Sequence, residues 1–486
     1  MLRFSFASLL AGGVGAALLA LMPQSAAVGM CRAELGDRLD AIAAQPNLRR
    51  ARLGIQVETL GRTDGEREVV YAKDADHYFV PASNVKLLTT AAALRRLGPD
   101  FTIRTAVYGT ESNGLTTLYV VGQGDPTFGD EQLNNLAQQL SQQNLSRVGN
   151  LLAHDGHFPG QMVNPNWEWE DVQAGYGAPA NSLMLNQNEL GLTLFPQAVG
   201  QPLRVEWDDP SLTNQWRVEN FSKTVSANEP EFVDIGRDLG QPILRVYGQL
   251  IAGAAPETAS VAVPDPGRYF AQTLQQRLTN LGVSVAQTDL TAQPVPGGAS
   301  ELATVASPPL ADWLIRTNRN SKNIYAEAIL KSLGLAVAAA PVEDATTAGT
   351  EAVKTVLQPL GVDPDSYEIV DGSGLSRHNL ATPTTFVNTL QGMAFTPEAQ
   401  IYRNSLAVAG QSGTLRNRFR NTIVQGRLHG KTGAISNNAS LSGYLEPPNH
   451  PPVALSILLN HVNQRGASLR QVIDALVLEI AQLENC

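Results

Sequence analysis

Ser83 and Lys86 stand three residues apart in the stretch Pro81 to Pro99, PASNVKLLTTAAALRRLGP. Residues at this spacing share one face of a helix, so the lysine amine can reach the serine hydroxyl. A lysine whose pKa is lowered by burial or by a neighbouring cation can take the proton of a serine. The pair therefore predicts a serine nucleophile with a lysine base.

The surrounding stretch predicts a buried helix. Pro81 suits a helix start, Gly98-Pro99 ends the helix, and the apolar residues between them leave little polar face. The alternative is a surface serine that precedes a lysine by chance. One Ser-x-x-Lys match is a weak signal, so further motifs must decide.

Two further motifs follow in a fixed order. Ser321-Lys322-Asn323 stands on a predicted loop before a helix, and Lys431-Thr432-Gly433 stands just after a predicted strand. Ser-x-Asn is common by chance, whereas Lys-Thr-Gly is rare in this composition. Ser-x-x-Lys, Ser-x-Asn and Lys-Thr-Gly in this order form a set typical of serine penicillin-recognising enzymes.

The side chains of these motifs suit attack on an acyl carbonyl. Ser321 could relay a proton toward the leaving amine, and Asn323 could hold the substrate amide. Lys431 offers a fixed positive charge, which we expect to lower the pKa of Lys86 and to attract a substrate carboxylate.

A carboxylate and an oxyanion would also need hydrogen-bond donors. Thr432 could bond the substrate carboxylate through its hydroxyl. A strand edge after Gly433 would supply the backbone N–H of Ala434, which with the N–H of Ser83 would form an oxyanion hole.

The chain resembles the class C low-molecular-mass penicillin-binding proteins, which are D-alanyl-D-alanine carboxypeptidases and endopeptidases that trim peptidoglycan. The resemblance extends over Leu118 to Phe128 (LYVVGQGDPTF), Asp371 to Leu380 (DGSGLSRHNL) and Gly430 to Leu445 (GKTGAISNNASLSGYL). It implies an α/β fold with a transpeptidase/β-lactamase-like mixed sheet flanked by helices. It also implies a large inserted region of one or two smaller domains.

The resemblance carries a set of site residues onto this chain. These are Ser83, Lys86, Ser321, Asn323, Lys431, Thr432 and Gly433. Asp155, in LLAHDGHF, resembles the family aspartate of the inserted region that meets the free amine of a diamino acid in the stem peptide. Lys322 departs from the family, which often has an acidic residue there, so the resemblance gives no expectation for the local charge and substrate preference at this position.

Composition and element order divide the chain into four parts. We expect a signal peptide over residues 1–27 and the first part of the penicillin-binding domain over 28–97. Two inserted domains, with an uncertain boundary between them, are expected over 98–303, and the second part of the penicillin-binding domain over 304–486. No metal or organic cofactor is expected.

The bulk charge restricts the partners. The formal net charge is −10, and the expected signal segment contributes only Arg3 as a charge. This balance, without a basic run, argues against nucleic acid and against docking on anionic membranes. The resemblance implies peptidoglycan stem peptides as substrates and β-lactam antibiotics as covalent inhibitors, and it leaves the oligomeric state open.

The N-terminal segment and the cysteines predict an exported protein of the periplasm or cell envelope. An early Arg3, an apolar run from Phe4 to Met22 and a small-residue ending are typical of a secretory signal, with a retained membrane anchor as the alternative. Cys31 and Cys486 could pair in an oxidising compartment, and we predict this disulfide over two free thiols.

Several side chains have a plainer interpretation. His154 and His157 flank Asp155, but without further ligands they favour ordinary surface over a metal site. Asp371 to Gly374 favours a glycine-rich turn over a second serine site. Trp167 and Trp169 could contact glycan or peptide, although packing is an equally good explanation.

Two other functions remain open at this stage. A β-lactamase or esterase of the same fold is disfavoured by the large insertion after the Ser83 helix. A non-catalytic peptidoglycan-binding protein is disfavoured because all three motifs are retained.

Overall fold

The computed structural model describes residues 30–486 with the exception of 64, 113–114, 144 and 464–465. The predicted signal peptide, residues 1–27, lies outside the described residues. Within the described part, no helix is both long enough and apolar enough to cross a bilayer. The described chain forms two compact units. One comprises Trp169–Ala178 and Glu189–Pro264, and the other comprises Met30–Glu168, Pro179–Asn188 and Asp265–Cys486.

Ten α-helices and twenty strands occur in the described residues. The helices are α1 (Arg32–Ala43), α2 (Val85–Leu97), α3 (Asp130–Ser141), α4 (Pro266–Asn280), α5 (Leu310–Asn318), α6 (Asn323–Val337), α7 (Ala345–Leu357), α8 (Pro383–Ala394), α9 (Ala399–Ser405) and α10 (Gly466–Ile480). The strands are β1 (Arg52–Thr59), β2 (Val69–Lys73), β3 (Arg104–Ser112), β4 (Leu115–Val121), β5 (Arg147–His154), β6 (Glu189–Phe195), β7 (Arg204–Trp207), β8 (Arg217–Asn220), β9 (Lys223–Val225), β10 (Phe232–Arg237), β11 (Ile243–Ile251), β12 (Glu257–Ala262), β13 (Ser284–Thr291), β14 (Ser300–Ala306), β15 (Tyr367–Glu368), β16 (Leu380–Ala381), β17 (Ala407–Val408), β18 (Leu428–Ile435), β19 (Asn438–Leu445) and β20 (Val453–Asn460).

A six-stranded antiparallel sheet forms the centre of the larger unit, in the order β17-β18-β19-β20-β1-β2. Every residue of β19 and β20 is buried, so both faces of the sheet must be covered. Helix α10 packs on β19 and β20, and α8 packs on β1, β19 and β20. Residues far apart in sequence therefore share one sheet.

Helix α2 lies inside this unit, as predicted. All residues from Val85 to Leu94 are buried, and the helix contacts α5, α6, α7 and α8. A helix without a polar face is stable only when other elements surround it. Gly98, with φ +81°, follows its last turn and ends it.

A second sheet of the larger unit contains five strands in the order β13-β5-β4-β3-β14. Helices α3 and α4 bury their apolar faces, which include Leu136 and Leu274, in the same core as strand residues Leu118 and Leu151. Strand β5 of this sheet ends at His154, and Asp155 follows it directly.

The smaller unit consists of strands with short turns. It holds a three-stranded sheet in the order β12-β6-β7 and a sheet in which β11 pairs β10, β8 and β9. The predicted insertion of two domains over residues 98–303 remains a prediction.

The chain ends of the larger unit are joined by a disulfide between Cys31 and Cys486, which confirms the predicted pairing. Next to it, Met30 forms a parallel bridge with Leu483. Helices α1 and α10 pack together between these ends. The disulfide therefore closes a loop that contains nearly the whole described chain.

Two strand predictions near the Lys-Thr-Gly motif are wrong. The segment 424–428 was expected to be a strand, but residues 421–427 form turns and the strand begins at Leu428. Gly426 has φ +75°, a backbone conformation that a β-ladder does not accommodate. The motif Lys431-Thr432-Gly433 consequently lies inside β18 and not after a strand.

Candidate active site

Ser83 lies on a short 3-10 turn, Ala82–Asn84, that leads directly into α2. Strand β19 holds this turn on both sides of the serine. Ser440 Oγ donates to Pro81 O at 2.7 Å, and Asn84 Nδ2 donates to Ser442 Oγ at 2.6 Å. Ala82 has φ +49°, an unfavourable conformation for a residue with a Cβ, so this packing keeps the turn in place.

Lys86 is fully buried one turn after Ser83. Its Nζ lies 2.9 Å from Ser83 Oγ, 2.7 Å from Asn323 Oδ1 and 2.6 Å from Ser373 O. An ammonium group has three protons, so three acceptors satisfy it completely. The predicted contact between Lys86 and Ser83 is thus present, and Asn323 meets them at the start of α6.

Burial lowers the pKa of Lys86 to about 7, because removing an ammonium group from water destabilises its charged form. Asp371 and Glu327 oppose this effect, since their negative charges favour the cation. Lys86 can therefore be neutral near physiological pH and accept a proton from Ser83.

The Ser-x-Asn motif and the Lys-Thr-Gly motif meet at a single hydrogen bond. Lys431 Nζ donates to Ser321 Oγ at 2.9 Å, and it also donates to Thr432 O at 2.6 Å. Ser321 has φ +60°, which turns the chain sharply before α6. The three motifs thus share one site, although Ser83 and Ser321 are more than two hundred residues apart and Ser321 and Lys431 are 110 residues apart.

Lys431 differs from the sequence-based expectation of a fixed cation. Burial, followed by the proximity of Lys86, lowers the pKa of Lys431 well below its ordinary value. Repulsion between two ammonium groups is mutual, but burial is the largest cause of the lowered pKa of Lys86 as well. Burial, one of the two causes considered from the sequence, therefore lowers the pKa of Lys86 most, and the expected effect of Lys431 on that pKa stays a prediction.

Gly433 brings strand β18 against the Ser83 turn. A Cβ at this position would lie 2.2 Å from Ser440 Oγ, 2.9 Å from Pro81 O and 3.0 Å from Ala82 Cβ. Such contacts are too short for any side chain, so only glycine fits. The glycine of the motif is required for packing, whatever chemistry its neighbours perform.

The outer edge of β18 is open beyond its first residues. Strand β17 pairs only with His429 and Gly430, whereas β19 pairs with the whole of β18 on the other side. Ala434, on the open part, is exposed. Thr432 Oγ1 donates to Thr414 Oγ1 at 2.8 Å.

Asp155 lies in a cradle of hydrogen-bond donors after β5. Asn181 Nδ2 donates to both carboxylate oxygens at 2.9 Å, and the backbone N–H groups of Ser182 and Leu183 donate to Oδ1 at 2.8 and 3.2 Å. Burial raises the pKa of the Asp155 carboxyl, and the bonds from Asn181 and the backbone oppose that rise. No contact joins Asp155 to Ser83 or Lys86 among the described residues.

Sequence analysis did not identify three residues that complete the site. The Ser373 carbonyl accepts a hydrogen bond from Lys86, and Thr414 accepts one from Thr432. The buried Glu327 lies near enough to Lys86 for its charge to affect the lysine. A detectable signal existed only for Glu327, a carboxylate four residues after Asn323 in a helix whose only other charged residue is Lys331. Ser373 itself is fully buried, as the interpretation of Asp371 to Gly374 as a turn requires.

The aromatic and histidine side chains are placed as follows. Trp167 is buried, and its Nε1 donates to Asp371 Oδ2 at 2.9 Å, so it packs behind the turn. Trp169 is exposed. In the described part of the chain, His154 and His157 belong to no group of three side chains that could bind a metal ion.

We predict that Gly433→Ala separates β18 from the Ser83 turn. Overpacking at this contact costs about 1–3 kcal/mol, and a shift of about 1 Å at a reacting group lowers rates by about two orders of magnitude. The variant should therefore show a lower unfolding midpoint and covalent labelling by a fluorescent penicillin slowed at least about tenfold. Gly297→Ala is the matched control, because a Cβ there meets nothing within 4 Å. Equal labelling rates for the two variants would contradict the proposed role of Gly433.

Comparison with known proteins places this site in a family. A model of the D-Ala-D-Ala carboxypeptidase 3 (S13) family matches residues 35–483. The D-alanyl-D-alanine carboxypeptidase of Actinomadura sp. (strain R39) is 34% identical over 468 residues, which cover 92% of this chain and 85% of the relative. The D-alanyl-D-alanine carboxypeptidase DacB of Haemophilus influenzae is 25% identical over 427 residues, covering 84% and 86%.

The fold has a solved counterpart. The crystal structure of penicillin binding protein 4 (dacB) from Haemophilus influenzae matches with a TM-score of 0.79 at 23% identity, over 92% of this chain and 99% of that chain. The expected α/β fold with a transpeptidase-like sheet flanked by helices is therefore confirmed. Its six-stranded sheet is antiparallel, whereas the five-stranded sheet mixes parallel and antiparallel pairs. On the extent of the family match and the identity to the Actinomadura relative, the chain belongs to the D-Ala-D-Ala carboxypeptidase 3 (S13) family.

Proposed function

We propose that this chain is a serine-type D-alanyl-D-alanine carboxypeptidase and/or endopeptidase that acts on peptidoglycan stem peptides through an acyl-enzyme at Ser83. The observation that carries the proposal is the buried amine of Lys86, 2.9 Å from Ser83 Oγ. The family match and the names of the curated relatives support the substrate class.

In the acylation step, Ser83 Oγ attacks the carbonyl carbon that precedes the terminal D-alanine, and its proton passes to Lys86 Nζ. The bond between that carbon and the leaving nitrogen then breaks. The leaving amine receives a proton from Lys86, relayed through Ser321. The products are an ester on Ser83 and free D-alanine, or the released strand of a cross-link.

In the deacylation step, water attacks the ester carbonyl and gives a proton to Lys86. The bond from the carbonyl carbon to Ser83 Oγ breaks, and Oγ regains its proton. The shortened stem peptide leaves as a carboxylic acid, and the enzyme returns to its starting state.

Substrate binding is assigned to the residues around this pair. Asn323 holds the substrate amide, Lys431 and Thr432 hold its terminal carboxylate, and the N–H groups of Ser83 and Ala434 stabilise the oxyanion. The open edge of β18 is suited to an extended peptide, because unpaired strand edges present backbone donors and acceptors. β-Lactams would occupy the same place as covalent inhibitors. One relative of the fold, penicillin binding protein 4 of Haemophilus influenzae, has been crystallised with a β-lactam.

We assign Asp155 to recognition of the free amine of the stem-peptide diamino acid. Its carboxylate retains acceptor capacity beyond the donors of Asn181 and the backbone, since two carboxylate oxygens offer about four lone-pair sites. A cation would favour the ionised form of this buried group.

Export to the periplasm or cell envelope completes the proposal. The substrate lies outside the cytoplasm, and the disulfide between Cys31 and Cys486 is of the kind that persists in oxidising compartments. Cleavage of residues 1–27 as a signal peptide belongs to this proposal.

Replacement of the nucleophile tests the function. We expect a fluorescent penicillin to label the wild-type protein covalently and Ser83→Ala not at all, because the alanine has no oxygen to acylate. Crosslinked muropeptides should lose D-alanine or a strand with the wild type only, as identified by mass. Equal labelling of both proteins would contradict the assignment. Rapid β-lactam turnover without peptide turnover would instead favour a β-lactamase, and muropeptide binding without acylation would favour a binding protein.

The titration of Lys86 predicts the pH dependence of acylation. The base must be neutral, and its pKa is about 7, so the rate should rise with pH through about 7 and level off above it. The measurement is the second-order rate constant of penicillin labelling between about pH 5 and pH 9, with intact fold checked at each pH. A rate that stays constant across this range would contradict Lys86 as the base.

Replacement of Asp155 by Asn tests amine recognition. The amide is isosteric but uncharged, so kcat/KM for a stem peptide with a free diamino-acid amine should fall about tenfold or more. The same peptide with an acetylated amine should be cleaved equally by both enzymes, and penicillin labelling should remain normal. A similar loss with both peptides would indicate a structural role for Asp155.

A further inference from the structure

Helix α6 carries two charged side chains into the interior, Glu327 and Lys331, to which the proposed chemistry assigns no part. They are the only charged residues among Asn323–Val337, and their exposed fractions are 3% and 4%. Burying a carboxylate is costly unless hydrogen bonds or an opposite charge compensate it. Glu327 stands four residues after Asn323, so both side chains lie on one face of the helix.

Glu327 holds one specific peptide group. The backbone N–H of Gly372 donates to both of its carboxylate oxygens, at 3.1 and 3.2 Å. A Cβ on Gly372 would lie 2.6 Å from Ala326 O, so the chain here is pressed directly against α6. This is the position next to Ser373, whose carbonyl accepts a hydrogen bond from Lys86.

The same piece of chain is bonded to α2 on its other side. Lys86 Nζ donates to Ser373 O at 2.6 Å, and Thr89 Oγ1 donates to Gly372 O at 2.9 Å. Two consecutive residues thus link α6 to α2. A displacement of Gly372 from Glu327 would move the carbonyl that orients the Lys86 amine.

A second buried carboxylate makes this loop rigid from within. Asp371 Oδ1 accepts from Gly374 N at 2.7 Å, and its Oδ2 accepts from Ser376 N at 2.7 Å and from Trp167 Nε1 at 2.9 Å. Asp371 fixes the shape of the loop, whereas Glu327 fixes its position relative to the helix that carries Asn323.

We propose that Glu327 is a positioning residue for Lys86. Its carboxylate holds the Gly372–Ser373 peptide so that the Ser373 carbonyl meets the lysine amine. Its negative charge also stabilises the ammonium that Lys86 becomes when it takes the proton of Ser83. The inference rests on the proposed function and adds a residue to its machinery.

The charges that surround Lys86 come from several elements. Asp371 of the loop and Glu327 of α6 favour its cation, and Lys431 of β18 opposes it. Burial and the negative charge of Asp371 together raise the pKa of Glu327 to about 7, against the hydrogen bonds of Ser373 and Gly372 and the charge of Lys331, which lower it.

Lys331 is held from its far side. Its Nζ donates to Ala180 O at 2.8 Å. Burial lowers the pKa of Lys331, and the negative charges of Glu327, Asp344 and Asp155 oppose this effect. Glu327 thus lies between two buried amines, and its negative charge raises the pKa of Lys86 as well as that of Lys331.

The substitution Glu327→Gln removes the negative charge of the side chain and keeps its shape. The amide oxygen can still accept from Gly372 N, but the negative charge is lost. Without it the Lys86 ammonium is less stable, so the acid limb of acylation should move to lower pH by about half a pH unit or more. The rate on the alkaline plateau should fall several-fold, because the cation formed during attack is stabilised less.

The experiment measures the rate of labelling of the full chain by a fluorescent penicillin between about pH 5 and pH 9, together with the unfolding midpoint. Glu327→Asp keeps the charge and shortens the reach, so its acid limb should stay near that of the wild type while its plateau falls. Glu351→Gln, an exposed carboxylate on the neighbouring α7, is the matched control and should change neither.

The outcomes separate the two proposals. If the wild type is labelled normally and Glu327→Gln shows the same acid limb and the same plateau rate, the positioning role alone would be overturned. Absence of labelling in the wild type would overturn the proposed function and this role with it. If Glu327→Gln fails to fold, Glu327→Asp decides, and a wild-type plateau in that variant would overturn the role.

Discussion

The arrangement of the site depends on the buried amine of Lys86. Lys86 is excluded from water, yet its three hydrogen-bond partners are the hydroxyl of Ser83, the amide oxygen of Asn323 and the carbonyl of Ser373. An amine in such a place is costly to charge, and this cost makes it a base near neutral pH. Asp371 and Glu327 limit the cost, so the amine remains able to take a proton. A base needs both properties, because it must be neutral before the reaction and must still be able to carry the proton that it takes.

This constraint explains why so much structure surrounds so few atoms. The amine is kept from water because α2 is buried from Val85 to Leu94 among five other helices, α5 to α9. Its partners stay aligned only because β19 holds Pro81 and Asn84, and because Gly433 allows β18 to approach them. Small polar and glycine positions in the sheet are therefore as necessary to the site as the ionisable residues.

Much of the architecture was predictable from local patterns. The α2 helix has strong apolar periodicity and clear end signals, and its predicted position agrees with the structure within a few residues. Strands such as β5, β10 and β13 were not predicted. Many of their residues are only half-buried, and pairing in a sheet stabilises these strands more than their own sequence does.

The site shows the same division. Ser83, Lys86, Ser321 and Lys431 were identified because their residue types and order are chemically specific, and the structure brings them together. The Ser373 carbonyl could not be identified, because every residue has one and only its position distinguishes it. The sequence left burial and a neighbouring cation as alternative causes for the lowered pKa of Lys86, and only the folded chain shows that burial is the larger one.

The sequence by itself determined the reactive groups, their order along the chain and the family to which they belong. The tertiary structure decided which backbone groups complete the site, where β18 runs and how two buried carboxylates balance one amine. Each residue type carries its own side-chain chemistry, which can be recognised without knowledge of the fold. Desolvation and charge balance arise only when distant segments exclude water together.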